Sequence, residues 1–187
     1  LNKSTAVFQG HGISTFISYD GGDHTLKLTK SDAWVRDMWV DNEDSTGNYD
    51  AINIAATTGD EFFLDNVEID GAGRHGINVG TGTARGRMIG CTLQSSSSKS
   101  ADPMTGLNIE SGAESSIISS NIFNGLNGGA IVDNGSSKYN YMGLILLNGA
   151  TNPNFDIRGG NHTGASILAT QQNDEFGMRL ACDDSSF

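Results

Sequence analysis

The chain is poor in cysteine, in basic residues and in long apolar runs, and each shortage removes a class of protein. Two cysteines in 187 residues, Cys91 and Cys182, are too few for a disulfide framework. Eleven Lys and Arg against 22 Asp and Glu leave a formal charge of −11, the opposite of the basic footprint that nucleic acid demands. No run of 18 apolar residues offers a membrane span. The opening Leu1-Asn2-Lys3-Ser4 lacks the charged start and apolar core of a secretion signal, and also an initiator methionine. The sequence therefore reads as a single domain over residues 1–187 that is a fragment of a longer chain. Helical periodicity is nearly absent, and no capped apolar helix stands out.

What the chain does have is glycine, 25 residues of it, and a repeat. Gly76-Ile77-Asn78-Val79-Gly80-Thr81-Gly82 is echoed by Gly106-Leu107-Asn108-Ile109-Glu110-Ser111-Gly112. Looser copies begin near Ile52, Ala130, Phe155 and Met178, at successive intervals of 25, 30, 23, 25 and 23 residues. A second series of alternating residues keeps the same register: Met38/Val40, Val67/Ile69, Cys91/Leu93, Asn121/Phe123 and Ile145/Leu147. Both series read as short strands with period-two alternation, punctuated by Gly, Asn, Asp and Ser. A strand of this kind cannot bury its inward face alone, so a ~25-residue period implies stacked coils sharing one core. The expected fold is all-β, a right-handed parallel β-helix of about seven coils spaced ~4.8 Å apart. Its inward stack would hold Ile52/Ile54, Ile77/Val79, Leu107/Ile109, Ala130/Val132, Phe155/Ile157 and Met178/Leu180.

The coils resemble those of pectate-lyase-like β-helix proteins, a group that includes phage tailspikes, polysaccharide lyases, hydrolases and epimerases. The likeness lies in Val7 to Ile17, Asp65-Asn66-Val67-Glu68-Ile69-Asp70-Gly71, Gly90-Cys91-Thr92-Leu93 and Ser120-Asn121-Ile122-Phe123-Asn124-Gly125. These motifs specify coils and not chemistry. The resemblance implies a polysaccharide partner, a virion or extracellular setting, and a homo-oligomer, trimeric in tailspikes. It also implies that Asn121, on the inward register, bonds along the stack as a buried amide. The chain departs from the family in lacking the Asp-Pro-His-Glu signature of alginate epimerases, the paired aspartates of polygalacturonases and the usual N-terminal cap.

Chemistry on a solenoid belongs to columns of outward side chains. One column reads Asn53, Asn78, Asn108, Ile131, Asp156, Arg179; its neighbour reads Ala55, Gly80, Glu110, Asp133, Arg158, Ala181. In this reading Glu110 and Asp133 face each other one strand spacing apart, the ingredients of an acid–base pair. Asp156, Arg158 and Arg179 would contact an acidic sugar. A second candidate comes from two long arcs, Asn42 to Tyr49 and Ser95 to Pro103, which should flank a notch floored by Gly71 to His75. The notch would offer Asp44, Tyr49, Asp50, Arg74, His75 and Asp102, since insertions on solenoid repeats map to one face. Trp39, out of phase with Met38 and Val40, should point outward, and Met142 and Leu144 suggest a further apolar outer patch suited to oligomerisation. No cofactor is expected; calcium fits an acidic surface in principle, but no specific motif points to it.

Three functions fit the sequence. One is a glycan-binding module of a viral tailspike or fibre that attaches to the host surface. Another is a lyase, hydrolase or epimerase using Glu110 and Asp133, and the third is a structural virion component without a ligand. A shared scaffold does not choose among them.

Overall fold

A computed structural model describes residues 6–12, 14–29, 32–43, 49–55, 60–95, 104–113, 116–119, 121–124, 126, 129–134, 140–142, 145–147 and 155–157. The described residues form sixteen strands and no helix. In chain order these are β1 (Ala6–Gln9), β2 (Phe16–Tyr19), β3 (Leu26–Leu28), β4 (Ala33–Asn42), β5 (Ile52–Ile54), β6 (Asp60–Asp70), β7 (His75–Val79) and β8 (Thr83–Ile89). They continue as β9 (Thr92–Gln94), β10 (Thr105–Ile109), β11 (Ser116–Ser119), β12 (Ile122–Asn124), β13 (Ile131–Asp133), β14 (Asn140–Met142), β15 (Ile145–Leu147) and β16 (Phe155–Ile157).

Every strand pairing is parallel, and partners lie one repeat apart in sequence, as a solenoid requires. Strands β3, β5, β7, β10, β13 and β16 stack into a six-stranded sheet. The other ten form a sheet that bends at its middle, with β4 and β6 contributing to both halves. The bend is a column of left-handed residues, Asp37, Asn66 and Gly90, with φ of 53°, 53° and 64°. Asp, Asn and Gly tolerate that conformation best, and Asn66 Nδ2 donates to Asp37 Oδ1 at 3.0 Å to join two coils there.

Inside runs one continuous core. Val35, Leu64, Met88 and Ile118 stack from the first half of the bent sheet, and Val40, Ile69, Leu93 and Phe123 from the second. Ile52, Ile77, Leu107 and Ile131 stack from the third face, each essentially excluded from solvent. The first of these stacks belongs to a strand series that the two sequence repeats did not include. Asn121 is wholly buried, accepts from the Cys91 N–H at 2.8 Å and donates to the Met88 carbonyl at 3.0 Å, as the resemblance implied.

Three expectations need correction. The described residues make fewer coils than the expected seven, and the repeat around Met178 and Leu180 lies outside them. The register of β13 is displaced by one: Leu107 pairs with Ile131 and Ile109 with Asp133, so Ile131 and Asp133 take the positions expected of Ala130 and Val132. The last coil of the bent sheet shifts likewise, with Leu146 rather than Leu147 beside Phe123. In each case one residue more or less in the preceding arc moves the alternation to the opposite phase.

Candidate functional site

The residue two positions before the first core residue of each repeat sits at the entrance of the six-stranded sheet. There the register aligns His24, Asp50, His75 and Thr105 from four successive coils. Asp50 is the centre of the group and is fully buried. Arg74 grips it with two bonds, Nε to Oδ1 at 2.9 Å and Nη2 to Oδ2 at 2.8 Å. Asn53 Nδ2 donates to Oδ2 at 2.8 Å, and His75 Nδ1 lies 3.0 Å from Oδ1. A carboxylate can only accept, so His75 carries its proton on Nδ1 and turns Nε2 away from the aspartate. Burial by itself would raise the Asp50 pKa, but the donors His75, Arg74 and Asn53 outweigh it and hold the carboxyl well below the usual carboxylate range.

His24 completes the cluster from the other side. Its Nδ1 is 2.9 Å from the Asp50 backbone nitrogen and 3.3 Å from Asp50 Oδ2. The two contacts compete for one nitrogen. A backbone N–H can only donate, so Nδ1 holds a lone pair and His24 is a neutral imidazole protonated on Nε2. Desolvation lowers its pKa and prevails over the attraction of Asp50 and Asp23, in agreement with that assignment. The Tyr49 ring stands edge-on against His24, with centroids 5.7 Å apart, and the Tyr49 carbonyl accepts from the Arg74 N–H at 2.9 Å.

A second polar group lies along the same sheet. Asn53, Asn78 and Asn108 occupy one register column, followed by Val132 and Asp156. Asn108 Nδ2 donates to Asn78 Oδ1 at 2.7 Å, and Asn78 Nδ2 donates to Glu110 Oε1 at 2.9 Å. The N–H and hydroxyl of Thr81 each lie 3.3 Å from Glu110 Oε2. Hydrogen bonding to Asp50 is the main cause of a raised Arg74 pKa, and Glu110 adds a smaller attraction.

Of the expected notch, the structure brings together Asp50, Arg74, His75 and Tyr49, whereas Asp44 and Asp102 lie outside the described residues. Glu110 and Asp133 do not form a facing pair. Asp133 is fully buried in the column of Ile109, and it is Asn134, whose N–H bonds the Ile109 carbonyl at 2.9 Å, that stands beside Glu110. Asp156 keeps its place in the asparagine column through its backbone register, and Arg158 and Arg179 lie outside the described residues. The sequence reading missed His24 and Asn53 as members of the Asp50 group. The spacing could have revealed His24, since Leu26 opens a coil as Ile52 and Ile77 do.

Outside this face, Trp39 is half-buried, its ring edge-on to Phe16 at 5.1 Å. Met142 and Leu144 fall where no side chains are described. Trp34, 41% exposed, stacks between coils on Phe63 at 4.9 Å, and Arg87 caps the far side of that ring at 5.4 Å. Cys91 is buried and its thiol is pushed up to about 12 by desolvation, which removes it as a nucleophile. Among the described residues no group of three or more His, Cys, Asp or Glu side chains is arranged to hold a metal ion. Compared with known proteins, the chain matches no protein family, no curated protein and no solved structure.

Proposed function

We propose that the chain is a glycan-recognising module, a right-handed solenoid that binds polysaccharide on the outer side of its six-stranded sheet. One observation carries this reading: a fully buried, ionised Asp50 spends its hydrogen bonds on holding Arg74 and His75 in fixed orientations on one face. Arg74 nonetheless keeps 41% of its side chain exposed, and Tyr49 stands beside it. Rigid donors next to an aromatic ring suit a ligand rich in hydroxyls, because little side-chain entropy is lost on binding. The coil resemblance adds the setting: host-surface attachment by a homo-oligomeric viral tailspike or fibre, trimeric by the same resemblance.

Immobilised bacterial polysaccharides test the reading. The chain should be retained by at least one of them, and Arg74→Ala should abolish retention at a temperature where circular dichroism still shows it folded, although the variant melts lower because buried Asp50 loses a partner. Release of shortened chains during the same assay would instead favour an enzyme, and retention unaffected by Arg74→Ala would move the binding surface elsewhere.

A further inference from the structure

The polar strip has direction. At one end stand Arg74 and His75; at the other stands Glu110, half-buried, beside the exposed Thr81. Asp50 takes the Nε–H and one Nη2–H of Arg74, so three of the five guanidinium protons are unclaimed by it. Glu110 accepts from Asn78 and Thr81, and its carboxylate offers only further acceptor sites. Between the ends, Asn108 is half-buried and the amides of Asn53 and Asn78 lie beneath the surface as a floor.

The length of the strip follows from the strand. Glu110 bonds the Val79 carbonyl and so lies level with Gly80, five residues along from His75. At ~3.3 Å per residue the backbones of the two ends are roughly 16 Å apart, but Arg74 bonds Asp50 beside Asn53, and Glu110 bonds Asn78, the register partner of Asn53. The guanidinium and the carboxylate are therefore closer, roughly 10 Å apart, the length of about two pyranose units.

Resting on the glycan-binding reading, we propose that the ligand is an acidic oligosaccharide lying along the strand direction, across rather than along the solenoid axis. A sugar carboxylate docks on the free edge of Arg74 beside His75, and hydroxyls one to two units away donate to Glu110. A planar carboxylate matches the guanidinium fork, and pairing through it is stronger than a neutral hydrogen bond. The −11 net charge does not forbid an acidic ligand, because exposed charges beyond about 8–10 Å are largely screened at physiological salt.

Calorimetry with short uronic-acid oligosaccharides, and with the same oligosaccharides after chemical reduction of their carboxyls to alcohols, tests the orientation. The wild-type chain should bind the acidic form at least about tenfold more tightly than the reduced form. Arg74→Gln should erase that preference, and Arg74→Lys should retain part of it. Glu110→Gln should weaken both forms by a similar factor. Equal affinity of the wild type for acidic and reduced forms would overturn the assignment of the Arg74 end while leaving glycan recognition intact. A preference that survives Arg74→Gln, or one that Glu110→Gln removes, would overturn it too. Failure of the wild type to bind any acidic or neutral polysaccharide would overturn the glycan reading, and this inference with it.

Discussion

Replacing Asp50 by Asn is the most informative perturbation, because it keeps the volume and removes only the charge. Asp50 is fully buried and accepts four side-chain hydrogen bonds, two from Arg74 and one each from His75 and Asn53. Hydrogen bonds to a charged group contribute about 1.5–3 kcal/mol each, though not additively. Breaking a buried charge pair by removing one partner costs about 3–5 kcal/mol. Arg74 is partly exposed and can turn to water, which favours the lower end, about 3 kcal/mol. An Asn amide would also point its own donors at Arg74 or Asn53, so the variant cannot recover the lost bonds by rotation. Urea denaturation of the full chain followed by circular dichroism measures the loss. Hydrogen exchange at the amides of residues 50–52 and 75–77 locates it, since a solenoid can open coil by coil. The pH dependence gives a second check. Asp50 has a depressed folded pKa, so its contribution is present above the ordinary value of 3.8 and is lost as pH falls through the folded pKa. The gap between wild type and variant should therefore be constant near neutrality and narrow below pH 3.8. A change below about 0.5 kcal/mol at pH 7, typical of an unremarkable surface position, would refute the central role given to Asp50.

Three further predictions concern single residues. His24 also has a depressed folded pKa, so the stability it supplies is present above 6.5 and declines as pH falls below that value. His24→Asn places an amide oxygen where Nδ1 accepts, and pH-dependent melting should show the acid-side decline below pH 6.5 reduced in the variant. Asn121→Leu leaves the Cys91 N–H and the Met88 carbonyl without their partner inside the core, which should cost about 2–4 kcal/mol in chemical denaturation. Gly86→Ala would put a methyl group into the ring of Phe62, itself 3% exposed, and the melting temperature should fall by an amount equivalent to about 1–3 kcal/mol.

The sequence by itself determined the solenoid. Its signal is redundant: the inward residues of each coil repeat with one period, so Ile52, Ile77 and Leu107 had to fall in line for any of them to be buried. The same redundancy exposed Asn121 as an inward amide, and the unequal arc lengths pointed to a notch with Tyr49, Asp50, Arg74 and His75 among its residues. Only the tertiary structure decided the exact register of each coil. One residue in an arc reverses which side chains face inward, and composition does not fix arc geometry, so Asp133 went to the core and left Glu110 beside Asn134. Nor could spacing show that Asp50, rather than His75, is the hub. That depends on hydrogen-bond distances among His24, Asn53, Arg74 and His75, which come from three neighbouring coils and meet only when the coils stack.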